Sequence, residues 1–117
     1  EAQKYFKQAT ISGKPVYLAI AEEVRDAGAD GCVVGATAHV APEEIKAVRE
    51  TIGDGRVILF VGIGAQGGDE KKCVANGGNP IAINVGRDII YDADQAAKAA
   101  EWNRLFNEAR KMYQVGF

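Results

Sequence analysis

Three short apolar runs alternate with amphipathic segments along the chain. The runs are rich in Val and Ile, and each is followed at once by glycine; they cover residues 31–34, 57–61 and 81–85. Continuous apolar runs of this length are typical of strands buried on both faces of a sheet. Because strands and helical segments alternate, the pattern predicts an α/β fold with a parallel sheet.

The segments around these runs carry apolar residues three or four positions apart, as in helices that bury one face. The predicted helices are Val16–Ala27, Pro42–Ile52, Asp69–Asn76 and a terminal helix near 94–113. The buried stripe predicted for the terminal helix is Trp102, Leu105, Phe106, Ala109 and Met112. In the third helix Asp69 suits the N-cap, and Glu70-Lys71-Lys72 is interpreted as solvated surface. Residues 88–93 are expected to form a connecting segment.

Three strands are too few for a closed sheet. A (β/α)₈ barrel needs about 200 residues or more, whereas this chain has 117. Right-handed crossovers place all three loops that follow the strands on one edge. The sequence therefore predicts that residues 1–117 form a single partial barrel domain, incomplete on its own, with sheet edges that another segment or chain covers.

Composition narrows the classes of function. The net charge of −2 lacks the basic footprint of a nucleic-acid binder, and no apolar run approaches the roughly 18 residues that span a membrane. Two cysteines without a CxxC pair, and a single histidine, favour free thiols in a cytoplasmic protein over a disulfide or a metal site. Since the chain opens on Glu1 without an initiator Met, a fragment or a processed product is expected.

A glycine-rich loop follows the second run and is the main candidate for chemistry. Residues 62–68 contain four glycines, and Gly86-Arg87 follows the third run. Glycine lets backbone N–H groups approach an anion closely, and the planar guanidinium of arginine binds phosphate through two hydrogen bonds. The two turns predict a phosphate-binding end of the sheet.

Two other interpretations of the loop remain open. The spacing Gly62-x-Gly64-x-x-Gly67 matches the dinucleotide fingerprint, and Asp88 lies near the expected distance for its acidic residue. Arg87 would face the same anion, however, and the helix that follows the loop is short and polar. The second alternative is a glycine turn with no ligand, which would carry an entropic cost on folding without a function.

Four segments together resemble a known family. They are Val34-Gly35-Ala36-Thr37, Pro42-Glu43-Glu44-Ile45, Gly62-Ile63-Gly64-Ala65-Gln66-Gly67-Gly68-Asp69 and Asn84-Val85-Gly86-Arg87. This set resembles the C-terminal half of orotidine 5'-monophosphate decarboxylase of the archaeal type, over about residues 14–113. The resemblance implies that the three runs are strands six, seven and eight of a TIM barrel.

The resemblance also implies roles for individual residues. Gln66 would contact the phosphate and bridge towards the pyrimidine lid, while Gly86 offers its N–H and Arg87 its side chain. The cradle would be formed by Gly64, Ala65, Gly67 and Gly68, and the substrate pocket by Thr37, Gly62 and Ile63. Two departures are visible: Val61 stands where members of the family often have Pro, and residues 38–41 look like an insertion.

The implied reaction converts orotidine monophosphate to uridine monophosphate and carbon dioxide in pyrimidine biosynthesis, without cofactor or metal. The family's D-x-K-x-x-D motif, which carries the catalytic Lys and Asp groups, does not occur in this sequence. No catalytic residue is therefore assigned here; those residues would come from an N-terminal half of the barrel. A homodimer partner is also implied. The alternative is a non-catalytic half-barrel that binds phosphate.

Overall fold

The computed structural model describes residues 2–113, with side chains from residue 5 onward. Six helices and five strands are defined within this range. They are α1 (Ala2–Gln8), β1 (Thr10–Ile11), β2 (Lys14–Pro15), α2 (Val16–Asp26), β3 (Gly31–Gly35), α3 (Pro42–Ile52), β4 (Val57–Ile63), α4 (Glu70–Asn76), β5 (Ile81–Val85), α5 (Arg87–Ile90) and α6 (Gln95–Tyr113).

The three long strands form one parallel sheet in the order β3-β4-β5. Cys32 pairs with Ile58 across the first interface, and Phe60 pairs with Ile83 across the second. The short strands β1 and β2 form a separate antiparallel hairpin. The predicted α/β class, with about three parallel strands and an incomplete barrel, is confirmed.

The core lies between one face of this sheet and the helices. Ile58 and Phe60 of β4 are fully buried and pack in one cluster with Ile45 and Ile52 of α3 and with Cys73 of α4. Partly buried side chains from α2 and α6 extend the same cluster; they include Tyr17, Val24, Trp102 and Phe106. Consecutive helices therefore lie side by side and cover a single face.

The opposite face of the sheet is exposed along its two outer strands. Val33 is 63% exposed, and Ala82 and Asn84 of β5 are exposed as well. The prediction that the strands are buried on both faces is therefore wrong for this chain. The physical reason is the missing part of the barrel, because side chains on the inner face of a barrel strand are buried only by the other strands.

One further prediction about helices needs correction. The short helix α5, Arg87–Ile90, begins the connecting segment that leads to α6. In α6, Ala109 is 5% exposed but Met112, a turn later, is 66% exposed, so the buried stripe ends at Ala109. None of the described helices is both long enough and apolar enough to cross a membrane.

Arginine side chains close the amino end of the sheet. Arg49 is only 7% exposed. Its guanidinium donates to four carbonyl oxygens, at 2.6–3.0 Å, from Gly77, Gly53, Arg56 and Pro80. Arg56 donates in turn to the carbonyls of Ala29, Ile52 and Arg25. The loops that lead into β4 and β5 are thus fixed by hydrogen bonds from these two side chains.

Candidate functional site

The glycine loop closes on itself at the carboxyl end of β4. This strand runs to Ile63, two residues beyond the predicted end, so Gly62 and Ile63 belong to the strand. The N–H of Gly68 donates to the Gly62 carbonyl at 2.9 Å, and the N–H of Gly67 to that of Gly64 at 2.8 Å. A Cβ at Gly68 would lie 2.4 Å from the Gly62 oxygen, so only glycine fits there.

The second glycine turn meets the first at Gly64. Ile63 pairs with Val85, which brings the ends of β4 and β5 together. Gly64 has a φ of +83°, and a Cβ there would lie 3.0 Å from Cβ of Asp88 and 3.2 Å from Cγ1 of Val85. Glycine is required by both the conformation and the space. The loop therefore lies directly against the segment that carries Gly86 and Arg87.

Several hydrogen-bond donors at this junction are unused. Within residues 2–113, the N–H groups of Ala65, Gln66 and Arg87 donate to no carbonyl or side chain. The guanidinium of Arg87 is exposed and forms no ion pair with any described residue. Unused N–H groups beside a free guanidinium match the donors that a phosphate requires.

Gln66 is exposed, but its side chain turns back over the loop. Its Oε1 lies 3.2 Å from the position that a Cβ at Gly62 would occupy, and Cγ2 of Thr37 lies 3.1 Å from the same point. Thr37 and Gln66 therefore approach Gly62 together. The structure brings the predicted phosphate residues and the predicted pocket residues into one region; their roles stay predictions.

The loop after β3 is fastened to the glycine loop. The Ala36 N–H donates to the Val61 carbonyl at 2.8 Å, and the Asp69 N–H donates to the Ala36 carbonyl at 3.2 Å. Asp69 also caps α4, since its side chain accepts from the Lys72 N–H at 3.0 Å. The capping prediction is confirmed, and the cap connects the two loops.

Lys72 is not part of the solvated surface that the sequence predicted. Its side chain is part-buried, and its Nζ donates at 2.8 Å to the carbonyls of Thr37 and Val40. Sequence reasoning missed this contact because the partners lie more than 30 residues upstream, where no local pattern indicates them.

Asp88 packs between the phosphate loop and the terminal helix. Its Oδ2 accepts from Nε1 of Trp102 at 2.6 Å, while its Cβ faces Gly64. The Trp102 ring stacks on Phe106 with centroids 5.5 Å apart. The carboxylate considered for a dinucleotide ribose is thus engaged with an indole N–H.

A cavity of about 550 Å³ lies along the free edge of β3. Apolar residues of α2 and β3 line most of it, and Thr37 borders it. The described residues contain no cluster of three or more His, Cys, Asp or Glu that could hold a metal ion. Cys32 and Cys73 are free thiols, and burial raises the pKa of Cys73 to about 12.

Comparison with known proteins finds relatives named orotidine 5'-phosphate decarboxylase. No family model matches the chain. Orotidine 5'-phosphate decarboxylase of Ralstonia nicotianae is 44% identical over 99 residues, and that of Bordetella pertussis is 40% identical over 107 residues. The chain is homologous to orotidine 5'-phosphate decarboxylase. The predicted resemblance to its C-terminal half is confirmed.

The match covers most of this chain but a minor part of its relatives. The Ralstonia alignment takes in 75% of the chain and 35% of the relative, and the Bordetella alignment 85% and 37%. The structure of Leishmania donovani UMP synthase superposes with a TM-score of 0.79 at 30% identity, over 92% of this chain and 25% of that one. The chain therefore spans little more than a third of the length of these decarboxylases.

Proposed function

We propose that this chain forms the phosphate-binding part of an orotidine 5'-phosphate decarboxylase, which converts orotidine monophosphate to uridine monophosphate and carbon dioxide. The observation that carries the proposal is the junction at Gly64. It joins the glycine loop to the Gly86-Arg87 turn, and the donors around it are unused within the described residues.

In this proposal the phosphate is held by two groups of donors. The N–H groups of Ala65 and Gln66 face it from the loop after β4, with the Gln66 side chain above them. Gly64, Gly67 and Gly68 shape the cradle. Gly86 contributes its N–H and Arg87 its guanidinium from β5. A bidentate guanidinium adds charge-assisted hydrogen bonds, which are about twice as strong as neutral ones. Thr37, Gly62 and Ile63 line the adjoining part of the substrate pocket.

The phosphate takes no part in bond breaking, yet its binding contributes to turnover. Binding energy from a remote group can orient the reacting ring and drive loop closure. The catalytic Lys and Asp groups come, in this proposal, from an N-terminal half of the barrel. The exposed sheet face with Val33 and Asn84 supports an N-terminal half as partner, because a complete barrel would bury this face.

The same proposal extends to assembly and location. We expect the complete barrel to form a homodimer, as the family resemblance implies, and to act in the cytoplasm. The two free thiols support a reducing compartment.

Complementation tests the proposal directly. This chain is co-expressed with the N-terminal part of a homologous decarboxylase, and the loss of orotidine monophosphate absorbance is followed. Activity is expected in the mixture and in neither part alone. The control is the same mixture with Arg87→Ala, which is expected to lower turnover of the whole substrate.

A binding measurement separates the enzyme from a non-catalytic module. The chain alone is titrated with uridine monophosphate, inorganic phosphate and NAD. Binding of the first two without activity in the mixture would favour the module, whereas retention of NAD with no preference for uridine monophosphate would favour a dinucleotide site. Binding of none of them would contradict a phosphate site.

A further inference from the structure

We propose that Lys72 is a positioning residue that holds the loop after β3 in register with the glycine loop, and that it thereby sets affinity for the nucleoside part of the ligand. This inference rests on the proposed function. It starts from a contact that the sequence did not indicate: one ammonium group bonded to two carbonyls of a loop on another element.

The loop that Lys72 holds is a tight turn. The Val40 N–H donates to the Thr37 carbonyl at 3.1 Å, which closes a four-residue turn over 37–40. Lys72 Nζ lies 2.8 Å from the carbonyl oxygen at each end of this turn. The ammonium therefore fixes the position of the whole turn relative to α4, the helix into which the glycine loop leads.

The outer side of the loop is secured separately. The Ala41 N–H donates to Oε2 of Glu44 at 2.7 Å, and Lys7 donates to the same oxygen at 2.9 Å. Together with the turn's own hydrogen bond, these contacts keep the loop folded when Lys72 is replaced. What Lys72 adds is the placement of Thr37 against Gly62.

The order of the strands determines which part of a ligand this loop can touch. The anion donors follow β4 and β5, whereas the turn follows β3, on the far side of β4 from Arg87. Neighbouring strands lie about 4.8 Å apart, so roughly 10 Å separates the ends of β3 and β5. A phosphate ion bound at Arg87 is too small to reach Thr37, whereas a phosphorylated nucleoside spans that distance.

Two simpler explanations of Lys72 make different predictions. If Lys72 only adds positive charge near the site, its removal weakens the binding of inorganic phosphate and of nucleotide alike. If it only stabilises the fold, its removal lowers the free energy of unfolding and leaves the affinity of the folded protein unchanged. Positioning alone predicts a loss that is confined to the larger ligand.

The experiment is an NMR titration of the ¹⁵N-labelled full chain with inorganic phosphate and with uridine monophosphate. Four proteins are compared: wild type, Lys72→Met, Lys72→Arg and Lys71→Met. Lys71 is the matched control, because it is adjacent and exposed. Lys72→Met is expected to lower the affinity for uridine monophosphate about tenfold, as for loss of hydrogen bonds from a charged group. The affinity for inorganic phosphate should change less than about twofold.

The other two variants complete the prediction. Lys72→Arg retains a cationic donor and is expected to recover most of the nucleotide affinity, and Lys71→Met to match wild type. A parallel loss for both ligands in Lys72→Met, or no loss for either, would overturn the inference. If wild type bound neither ligand, the proposed function would fail. The positioning role of Lys72 would still be tested by the spectra of the ligand-free proteins. Unchanged amide shifts for residues 37–41 in Lys72→Met would refute it.

Discussion

The two ends of the parallel sheet use arginine in opposite ways. At the amino end, Arg49 is 7% exposed and donates to four backbone carbonyls. At the carboxyl end, Arg87 is exposed, and its guanidinium forms no ion pair with any described residue. The same type of side chain is fully used at one end and left available at the other.

This difference separates stability from binding within one small sheet. Buried polar groups contribute to stability only when they are paired, which is the condition that Arg49 and its carbonyls meet. Unused donors at the other end add nothing to folding; in the proposed function a phosphate takes them up. Barrel enzymes show the same division, with activity at the carboxyl ends of the strands. The contrast can be tested by substitutions at each end.

The largest expected effect is on stability, at Arg49. Arg49→Met keeps the aliphatic stem but removes every donor, so four backbone carbonyls at this end each lose a hydrogen bond. We expect the free energy of unfolding to fall by about 3 kcal/mol, measured by urea denaturation of the chain.

Arg104→Met is the control for that change. Arg104 has a side chain that is 60% exposed, and among the described residues it pairs only with Glu108 on the same helix. Its replacement should cost less than about 0.5 kcal/mol. Equal losses for the two variants would show that the amino end does not depend on Arg49.

The next effect is on binding, at Arg87. Arg87→Ala is expected to weaken the binding free energy of uridine monophosphate by about 1.5–3 kcal/mol, the range for hydrogen bonds to charged groups. The urea midpoint should stay at the wild-type value. Calorimetric titration gives the affinity, and Arg110→Ala, an exposed arginine on α6, is the control. If Arg87→Ala lost stability but kept its affinity for the nucleotide, the assignment of binding to the carboxyl end would be wrong.

Asp88 is expected to affect both stability and binding, because it touches both the glycine loop and the core. Asp88→Ala removes the acceptor for Trp102 and is expected to lower the free energy of unfolding by about 1 kcal/mol. Nucleotide affinity should fall by less than in Arg87→Ala. Trp102 is the only tryptophan, so its emission reports the lost hydrogen bond; an unchanged spectrum would contradict the contact.

The sequence predicted the features that depend on local pattern. The apolar runs located β3, β4 and β5 because strand periodicity is a property of adjacent residues, and the glycines located the two turns. Val33 was expected to be buried, since its run does not indicate that one face lacks its partner. The contacts of Lys72, and those of Arg49 with Gly77 and Pro80, were missed because the carbonyls lie far away in sequence and any residue type supplies a carbonyl.

The smallest effect is the pH dependence at Glu44, beside the loop after β3. Burial raises the pKa of this carboxyl, but the Ala41 N–H and the Lys7 and Lys72 ammonium groups outweigh it, and the pKa lies below its ordinary value. Because the folded pKa is lowered, Glu44 stabilises the fold above its unfolded pKa of about 4.3, and this contribution is lost as the pH falls through the folded value.

Urea denaturation between neutral pH and pH 3 measures this contribution. Glu44→Gln is expected to show a shallower loss of stability below about pH 4.3 than wild type. Glu43→Gln, at the exposed neighbouring position, should keep the wild-type slope. In Lys72→Met the loss should be smaller and should end at a higher pH, since one of the charges that lower the folded pKa of Glu44 is gone. A loss of the same size in Lys72→Met and wild type would show that Lys72 is not coupled to Glu44.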